Sequence, residues 1–293
     1  MSFTAGLKEE ILQKEHKKKC CEIAELAGVV AFSSSVKSGY LKITIENRTV
    51  ARRIVKQLAK LTGIQAGIEV KPGGSVRKND SFIISIVEYK NLMQFLDIEN
   101  FLETHLKKDC CRRAFVKGAF LGGGSVADPK KRYHLEFVSA YEDVANSFVK
   151  LFDELEIKSG LVERRGKYVV YFKDCDTICD VLALAGVMNG VVEIYEVKVI
   201  KDKKNEINRL INSEVANLTK VVDASVNQTK AIEKIRDSVG LETLPETLRK
   251  LAEVRLQFPD DGLAQLGQRM KPPLGKSGVN HRMRKIIEIS KRY

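Results

Sequence analysis

A chain of 293 residues has room for two or three domains with their own hydrophobic cores. With 44% hydrophobic residues, 30% charged residues and only six prolines it reads as globular, which excludes a disordered or low-complexity chain. Its longest apolar run, residues 181–192, is shorter than the roughly 20 residues a membrane span requires, and Gly186 and Gly190 interrupt it. The net charge of +12 points to an anionic partner, and its placement along the chain says where.

Residues 1–12 are amphipathic and carry Lys8, Glu9 and Glu10, without the basic start and apolar block of a signal peptide. A cytoplasmic location and no membrane partner are expected. An internal repeat follows. Lys17, Lys18, Cys20, Cys21, Ala24, Gly28, Ser35 and Val36 recur 90 residues later as Lys107, Lys108, Cys110, Cys111, Ala114, Gly118, Ser125 and Val126, eight identities in twenty positions without a gap. The six cysteines, Cys20, Cys21, Cys110, Cys111, Cys175 and Cys179, lie among apolar neighbours and lack CxxC or HxxxH zinc spacing. They read as buried structural thiols, and neither a metal site nor a cofactor is expected.

Each copy of the repeat leads into the same order of elements. In the first, Leu41, Ile43 and Ile45 alternate with Lys42, Thr44 and Glu46 in a half-buried strand. Ala51, Ile54, Val55, Leu58 and Leu61 then mark a helix from about Thr49, and strands near 65–71 and 81–87 are joined through Pro72, Gly73 and Gly74. In the second, a strand at 133–139 and a helix at 142–155 precede a hairpin of 158–164 and 168–173, turning at Arg165, Gly166 and Lys167. Each half is therefore helix, strand, helix, hairpin and terminal helix, and the two halves are expected to pack as a pseudo-dimer.

Residues 116–125, Val-Lys-Gly-Ala-Phe-Leu-Gly-Gly-Gly-Ser, resemble the LAGLIDADG helix of homing endonucleases, and Leu26-Ala27-Gly28 begins the first copy in the same way. The resemblance implies two motif helices side by side at the centre of the pseudo-dimer, with Gly28, Ala31, Gly118, Ala119 and Gly122 letting the backbones approach. The nuclease chemistry of that family needs one carboxylate near the end of each motif helix to hold divalent cations. Ser33 and Gly123 stand at those positions, and Asp128 nearby reads as a turn residue before Pro129. No catalytic residue is expected, and the strand residues Lys42, Thr44, His134 and Arg164 are candidates for a DNA-facing or protein-facing sheet surface.

From 191 to about 227 the chain reads as a proline-free helix, with Ile207, Leu210, Ile211 and Leu218 on one face and several asparagines elsewhere. A small helical domain follows. Ala231, Ile232, Ile235 and Val239 mark a helix ended by Gly240. Pro245 opens another through Leu248, Leu251, Ala252, Val254 and Leu256, and Phe258-Pro259 stops it. Asp260 or Asp261 is placed to cap a short helix from Leu263 to Met270. After the break Lys271–Lys276, Ser277 is placed to cap a last helix running to about Lys291.

Charge separates this tip from what precedes it. Residues 201–268 hold eleven Lys/Arg against eleven Asp/Glu, whereas residues 269–293 hold eight Lys/Arg against Glu288 alone, a net +7. On the last helix, at about 100° per residue, Val279, Met283, Ile286 and Ile287 share one side. Ser277, Asn280, His281, Arg284 and Lys285 lie opposite, with Arg282 on the flank. Asn reads adenine and Arg reads guanine by paired hydrogen bonds, and a helix start with Lys276 suits phosphate. The DNA-binding set is therefore Lys276, Ser277, Asn280, His281, Arg282, Arg284 and Lys285, within a helix-turn-helix at 262–292.

Residues 263–267 and 276–286, with the double-cysteine repeats, residues 118–126 and 205–217, are similar to the bacterial WhiA family along essentially the whole chain. Gly275 stands where that pattern suggests a less flexible residue. The resemblance implies an α+β protein: a duplicated LAGLIDADG-like pseudo-dimer, then a small all-α helix-turn-helix domain related to the promoter-reading domain of sigma factors. The expected divisions are a first half at 1–105, a second half at 106–200, a helical linker at 201–226 and the helix-turn-helix domain at 227–293. It implies a DNA-binding transcription regulator, not an enzyme, tied to sporulation in filamentous actinobacteria and to cell division and chromosome segregation in low-GC Gram-positives. Double-stranded DNA, with a sigma factor or RNA polymerase, is the expected partner set, for a nucleoid-associated monomer with an internal pseudo-two-fold. The alternatives are a division or nucleoid adaptor that binds DNA weakly, and an active homing endonuclease.

Overall fold

The computed structural model describes residues 2–37, 39–73, 80–98, 100 and 106–293. The chain divides into two compact units, Met1–Lys201 and Asp202–Tyr293. Gly74, expected in a strand connection, lies outside the described residues.

In the first unit, helix α1 (Phe3–Leu12) precedes two copies of one motif. The first is α2 (Lys19–Ser33), β1 (Ser34–Lys37), β2 (Tyr40–Ile45), α3 (Arg48–Thr62), β3 (Ile68–Lys71), β4 (Ser81–Ile86) and α4 (Tyr89–Leu96). The second is α5 (Asp109–Gly123), β5 (Gly124–Val126), β6 (Leu135–Ser139), α6 (Glu142–Asp153), β7 (Gly160–Arg164), β8 (Lys167–Phe172) and α7 (Cys175–Leu184). The sheets have matching antiparallel orders, β1-β2-β4-β3 and β5-β6-β8-β7. The duplication read from twenty residues therefore extends through the whole topology. The two short strands β1 and β5 were not expected. They follow their helices without a breaker and are too short to show a period of two. The hairpin turn is narrower than expected: Arg165 and Gly166 alone have positive φ, and Lys167 already pairs with Arg164.

The motif helices α2 and α5 touch backbone to backbone. A Cβ on Gly28 would collide with the Phe115 carbonyl oxygen, and one on Gly118 with that of Glu25. Contacts advance together along both helices, from Glu25 and Gly118 to Val29 and Gly122 and then Phe32 and Gly123, so they run parallel. Phe32, from the first half, enters the aromatic core of the second, 4.6 Å from the Phe148 ring. Helix α1 joins the two ends of this unit. Its Glu10 carboxylate accepts the free N–H groups of Asn189 and Gly190 at the start of α8 (Met188–Val239). The apolar run 181–192 is split between α7 and α8 at Gly186, which has a φ of 83°. No helix among the described residues is long and apolar enough to cross a membrane.

One fully buried carboxylate holds the first half against the second motif helix. Glu25 is 0% exposed and receives His16 Nε2 at 2.7 Å, Arg53 Nε at 2.8 Å, Gln57 Nε2 at 2.7 Å and Lys117 Nζ at 2.9 Å. Burial alone would push its pKa up; the His16 hydrogen bond and the Lys117 and Arg53 charges outweigh it and hold the group down at about 2. A depressed carboxylate pKa contributes stability above its ordinary value of 4.5, and that stability is lost as pH falls through about 2. Urea denaturation followed from pH 7 to pH 3 should lose about 2 of the roughly 3 kcal/mol at stake over the complete titration. Glu25→Gln should be destabilised at pH 7 and lose much of that pH dependence; a variant as stable as wild type at pH 7 would contradict the hub.

Candidate nucleic-acid interface

The second unit contains the later part of α8, a 3-10 turn at Leu241–Thr243, and helices α9 (Glu246–Gln257), α10 (Leu263–Arg269) and α11 (Lys276–Ser290). Its core is Ile232, Ile235, Leu244, Leu248, Leu251, Ala252, Leu266, Met270, Val279, Met283 and Ile286. Gly240 ends α8 with a φ of 79° as expected, and Phe258 stops α9. The expected separate helices before and after residue 227 are one continuous helix, because nothing between 201 and 239 breaks it. Ile207, Leu210, Ile211 and Leu218 belong to neither hydrophobic core.

Arg255 is the internal strut of this unit. It is 2% exposed and donates to the Asp261 carbonyl at 2.6 Å, the Pro259 carbonyl at 3.3 Å and Gln228 Oε1 at 2.7 Å. Ser225 Oγ donates to the same Pro259 carbonyl. Helices α8 and α9 and the loop before α10 are thus joined through one planar five-donor group.

Helices α10 and α11 form the helix-turn-helix. Neither expected cap is the observed one. Gly262 is the N-cap of α10, its N–H held by Gln265 Oε1 at 2.8 Å. Asp261 instead binds Arg269 Nε at 2.6 Å, and Arg269 stacks over the Phe258 ring at 3.6 Å. One charge of the basic tip is thereby used inside the unit. Gly275 is the N-cap of α11, with φ −68° and ψ 156°, a conformation open to any residue. Ser277 is already in the helix, so its hydroxyl caps nothing and stays on the exposed side. The turn is set by Gly267, whose carbonyl accepts the Leu274 N–H at 2.9 Å and whose missing Cβ leaves room for the Leu274 backbone.

The core face of α11 is narrower than the periodicity implies, since Ile287 is half-buried and lies outside the hydrophobic core. Val279, Met283 and Ile286 are at most 1% exposed. Lys276, Ser277, His281, Arg284 and Lys285 are exposed, while Asn280 and Arg282 are half-buried at the margins. Among the described residues no ion pair occupies Lys276, Arg282, Arg284 or Lys285. The N–H groups of the first turn lie beside Lys276 and Ser277, a combination suited to an oxyanion such as phosphate.

The first unit offers a different surface. Lys42 and Thr44 lie on the outer face of the first sheet, opposite Leu41, Ile43 and Ile45. On the second sheet Glu136 meets His134 Nε2 at 3.2 Å and Arg164 at 3.7 Å, so its own carboxylate offsets those two residues. Ser33 Oγ donates to the Val29 carbonyl at 2.6 Å. A Cβ at position 123 would meet the carbonyl oxygens of Phe32 and, at 2.6 Å, Val138. That backbone has no room for an acidic side chain. Asp128 Oδ1 accepts the Lys130 N–H at 2.9 Å, as a turn residue does.

A helix-turn-helix with an unpaired basic face, joined to a duplicated LAGLIDADG-like scaffold, defines a DNA-binding regulator class. The comparisons specify it further. Residues 19–98 match the WhiA N-terminal LAGLIDADG-like domain, 112–204 the WhiA LAGLIDADG-like domain and 207–290 the WhiA C-terminal HTH domain. The chain belongs to the WhiA family. Among its relatives, the "Probable cell division protein WhiA" of Alkaliphilus oremlandii is 37% identical over 99% of this chain and 97% of its own. That of Clostridium acetobutylicum is 38% identical over 99% and 98%. The crystal structure of full-length DUF199/WhiA from "Thermatoga maritima" is similar with a TM-score of 0.59 at 27% identity, covering 100% of this chain and 99% of its own.

Residue types alone pointed to the exposed polar face of α11, but not to two features. Arg255 looks like any other cation of a helix with balanced charge; only its position among apolar residues Leu251, Ala252 and Val254 hints at burial. The structure also brings Cys20, Cys21, Cys110 and Cys111 together. The signal was the repeat itself, which puts a Cys-Cys pair at the same position of each motif helix, two turns before the glycines at which the helices meet. Arg255→Ala should cost about 2–4 kcal/mol within this unit. Hydrogen-exchange mass spectrometry of the full chain should find protection reduced in α11 and unchanged in α5; unchanged protection in α11 would contradict the strut.

Proposed function

We propose that this chain is a sequence-specific, double-stranded-DNA-binding transcription regulator of the WhiA type, acting in cell division and chromosome segregation. The last helix, expected at residues 277–291 and observed at Lys276–Ser290, enters the major groove. Asn280, Arg284 and His281 meet base edges there, and Lys276, Ser277, Arg282 and Lys285 meet phosphate and the groove wall. The observation that carries this reading is the exposed, unpaired Ser277-His281-Arg284-Lys285 face set against buried Val279, Met283 and Ile286. A merely solvated basic helix needs charge, not this mixture of hydroxyl, amide, imidazole and guanidinium.

In this reading the halves at 1–105 and 106–200 form a scaffold, 201–226 a helical connection and 227–293 the reader. A sigma factor or RNA polymerase is the partner suggested by the helix-turn-helix, and the pseudo-two-fold within one chain suits a monomer associated with the nucleoid. The protein is not an enzyme here: Ser33 and Gly123 replace the carboxylates a nuclease needs, and the Gly123 backbone excludes a side chain. The names of the relatives support the cell-division role.

Binding to a preferred duplex and to random duplex across a salt series tests this reading. With about six phosphates contacted, affinity should fall roughly 10³-fold between about 50 and 200 mM salt. Arg284→Ala should cost about 1–3 kcal/mol on the preferred site and relax one base position. An equal loss on every sequence would make Arg284 a phosphate contact and contradict the assigned face; equal affinity of wild type for both duplexes would favour the adaptor reading.

A further inference from the structure

The duplicated Cys-Cys dipeptides take no part in DNA reading. Each occupies the second and third residues of its motif helix, Cys20 and Cys21 in α2 and Cys110 and Cys111 in α5. Because α2 and α5 are parallel and in backbone contact, both dipeptides stand at the same end of the helix pair, away from Ser33 and Gly123. Their four Sγ atoms lie within 4.8 Å of one another, and each adjacent pair is 4.0 Å apart. A tetrahedral ion with metal–sulfur bonds of about 2.3 Å requires sulfur–sulfur edges of about 3.8 Å. Side-chain rotations of less than about an ångström close that difference. An iron–sulfur cluster, with several irons and sulfides inside its cage, needs a wider one.

We propose that Cys20, Cys21, Cys110 and Cys111 form a tetrathiolate site for one thiophilic divalent cation, zinc in the cell. Four protein ligands leave no open position, so the ion acts as a structural staple and not as a Lewis acid. Each half contributes two ligands, so the ion ties the halves across the pseudo-two-fold. On binding, the four thiols lose their protons to solvent and each thiolate gives a sulfur lone pair to the ion, leaving the site with two negative charges. Lys18 beside Cys110 and the first-turn N–H groups of both helices offset that charge. Without the cation, burial pushes the inner thiols up, Cys21 to about 11 and Cys111 to about 12, while Cys110 is held below its ordinary value chiefly by the Cys21 hydrogen bond. The outer pair, Cys20 and Cys110, is half-exposed and provides the entry route.

The full chain, purified with reductant and stripped of metal, should be titrated with cobalt(II) alone. The expected result is one cobalt per chain, with the thiolate charge-transfer and tetrahedral d–d bands, displaced by one equivalent of zinc. Cys20→Ser/Cys110→Ser should abolish the bands, whereas Cys175→Ser/Cys179→Ser should keep them. Zinc should also protect four wild-type thiols from alkylation, a readout that does not depend on how the variants fold. Reduced wild-type protein that develops no tetrahedral thiolate bands overturns the proposal. So does alkylation of all six thiols at the same rate with and without zinc.

Discussion

The first unit depends on one close approach: two parallel helices whose backbones meet where Gly28 faces Phe115 and Gly118 faces Glu25. Any side chain there would separate the helices, and the consequences reach both ends of the pair. At one end Phe32 crosses into the aromatic core of the second half, and Gly123 sits too tightly against Phe32 and Val138 to carry a side chain. At the other end the approach gathers four cysteines. Between them the pseudo-symmetry is broken. Position 25 is glutamate, whereas its equivalent in the second copy is Phe115, and the glutamate draws His16, Arg53, Gln57 and Lys117 into the interior. A buried charge network of this kind specifies an arrangement more than it stabilises one, since desolvation offsets much of the Coulombic gain. Here it fixes which half is which.

The electrostatic contrast between the two units follows the same logic. On the second sheet of the first unit, the Glu136 carboxylate offsets His134 and Arg164. On α11 Lys276, Arg284 and Lys285 are exposed, and they and the half-buried Arg282 have no ion-pair partner among the described residues. Free cations release condensed counterions when they meet a polyanion; paired ones must first give up a partner. The α11 cations need give up no carboxylate to do so.

Much of this was legible in the sequence, for physical reasons that can be named. A twenty-residue repeat revealed the duplication, and the alternation of Leu41, Ile43 and Ile45 revealed a half-buried strand, because both signals are periodic. The buried and exposed faces of α11 were legible for the same reason. What escaped was set by contacts between distant segments or by single hydrogen bonds. The strand Gly124–Val126 is defined by its pairing with Leu135–Phe137, not by its own composition. Ser277 has the chemistry of a cap, yet the helix begins before it because the Gly275 carbonyl already accepts the Val279 N–H at 3.1 Å. Asp261 has the same chemistry and is taken by Arg269 instead. The four clustered cysteines come from two segments, and a cluster of that kind has no spacing signature in either one.

Selection of binding sites from a random duplex pool by the full chain tests directly whether α11 reads sequence. Wild-type protein and a Ser277→Ala/Asn280→Ala/Arg284→Ala variant should be compared at equal folding by circular dichroism. Wild type should enrich one compact motif, and the variant should retain only weak binding without enrichment. A wild type that enriches nothing, or a variant that enriches the same motif, would contradict the assignment of α11 as the reading helix.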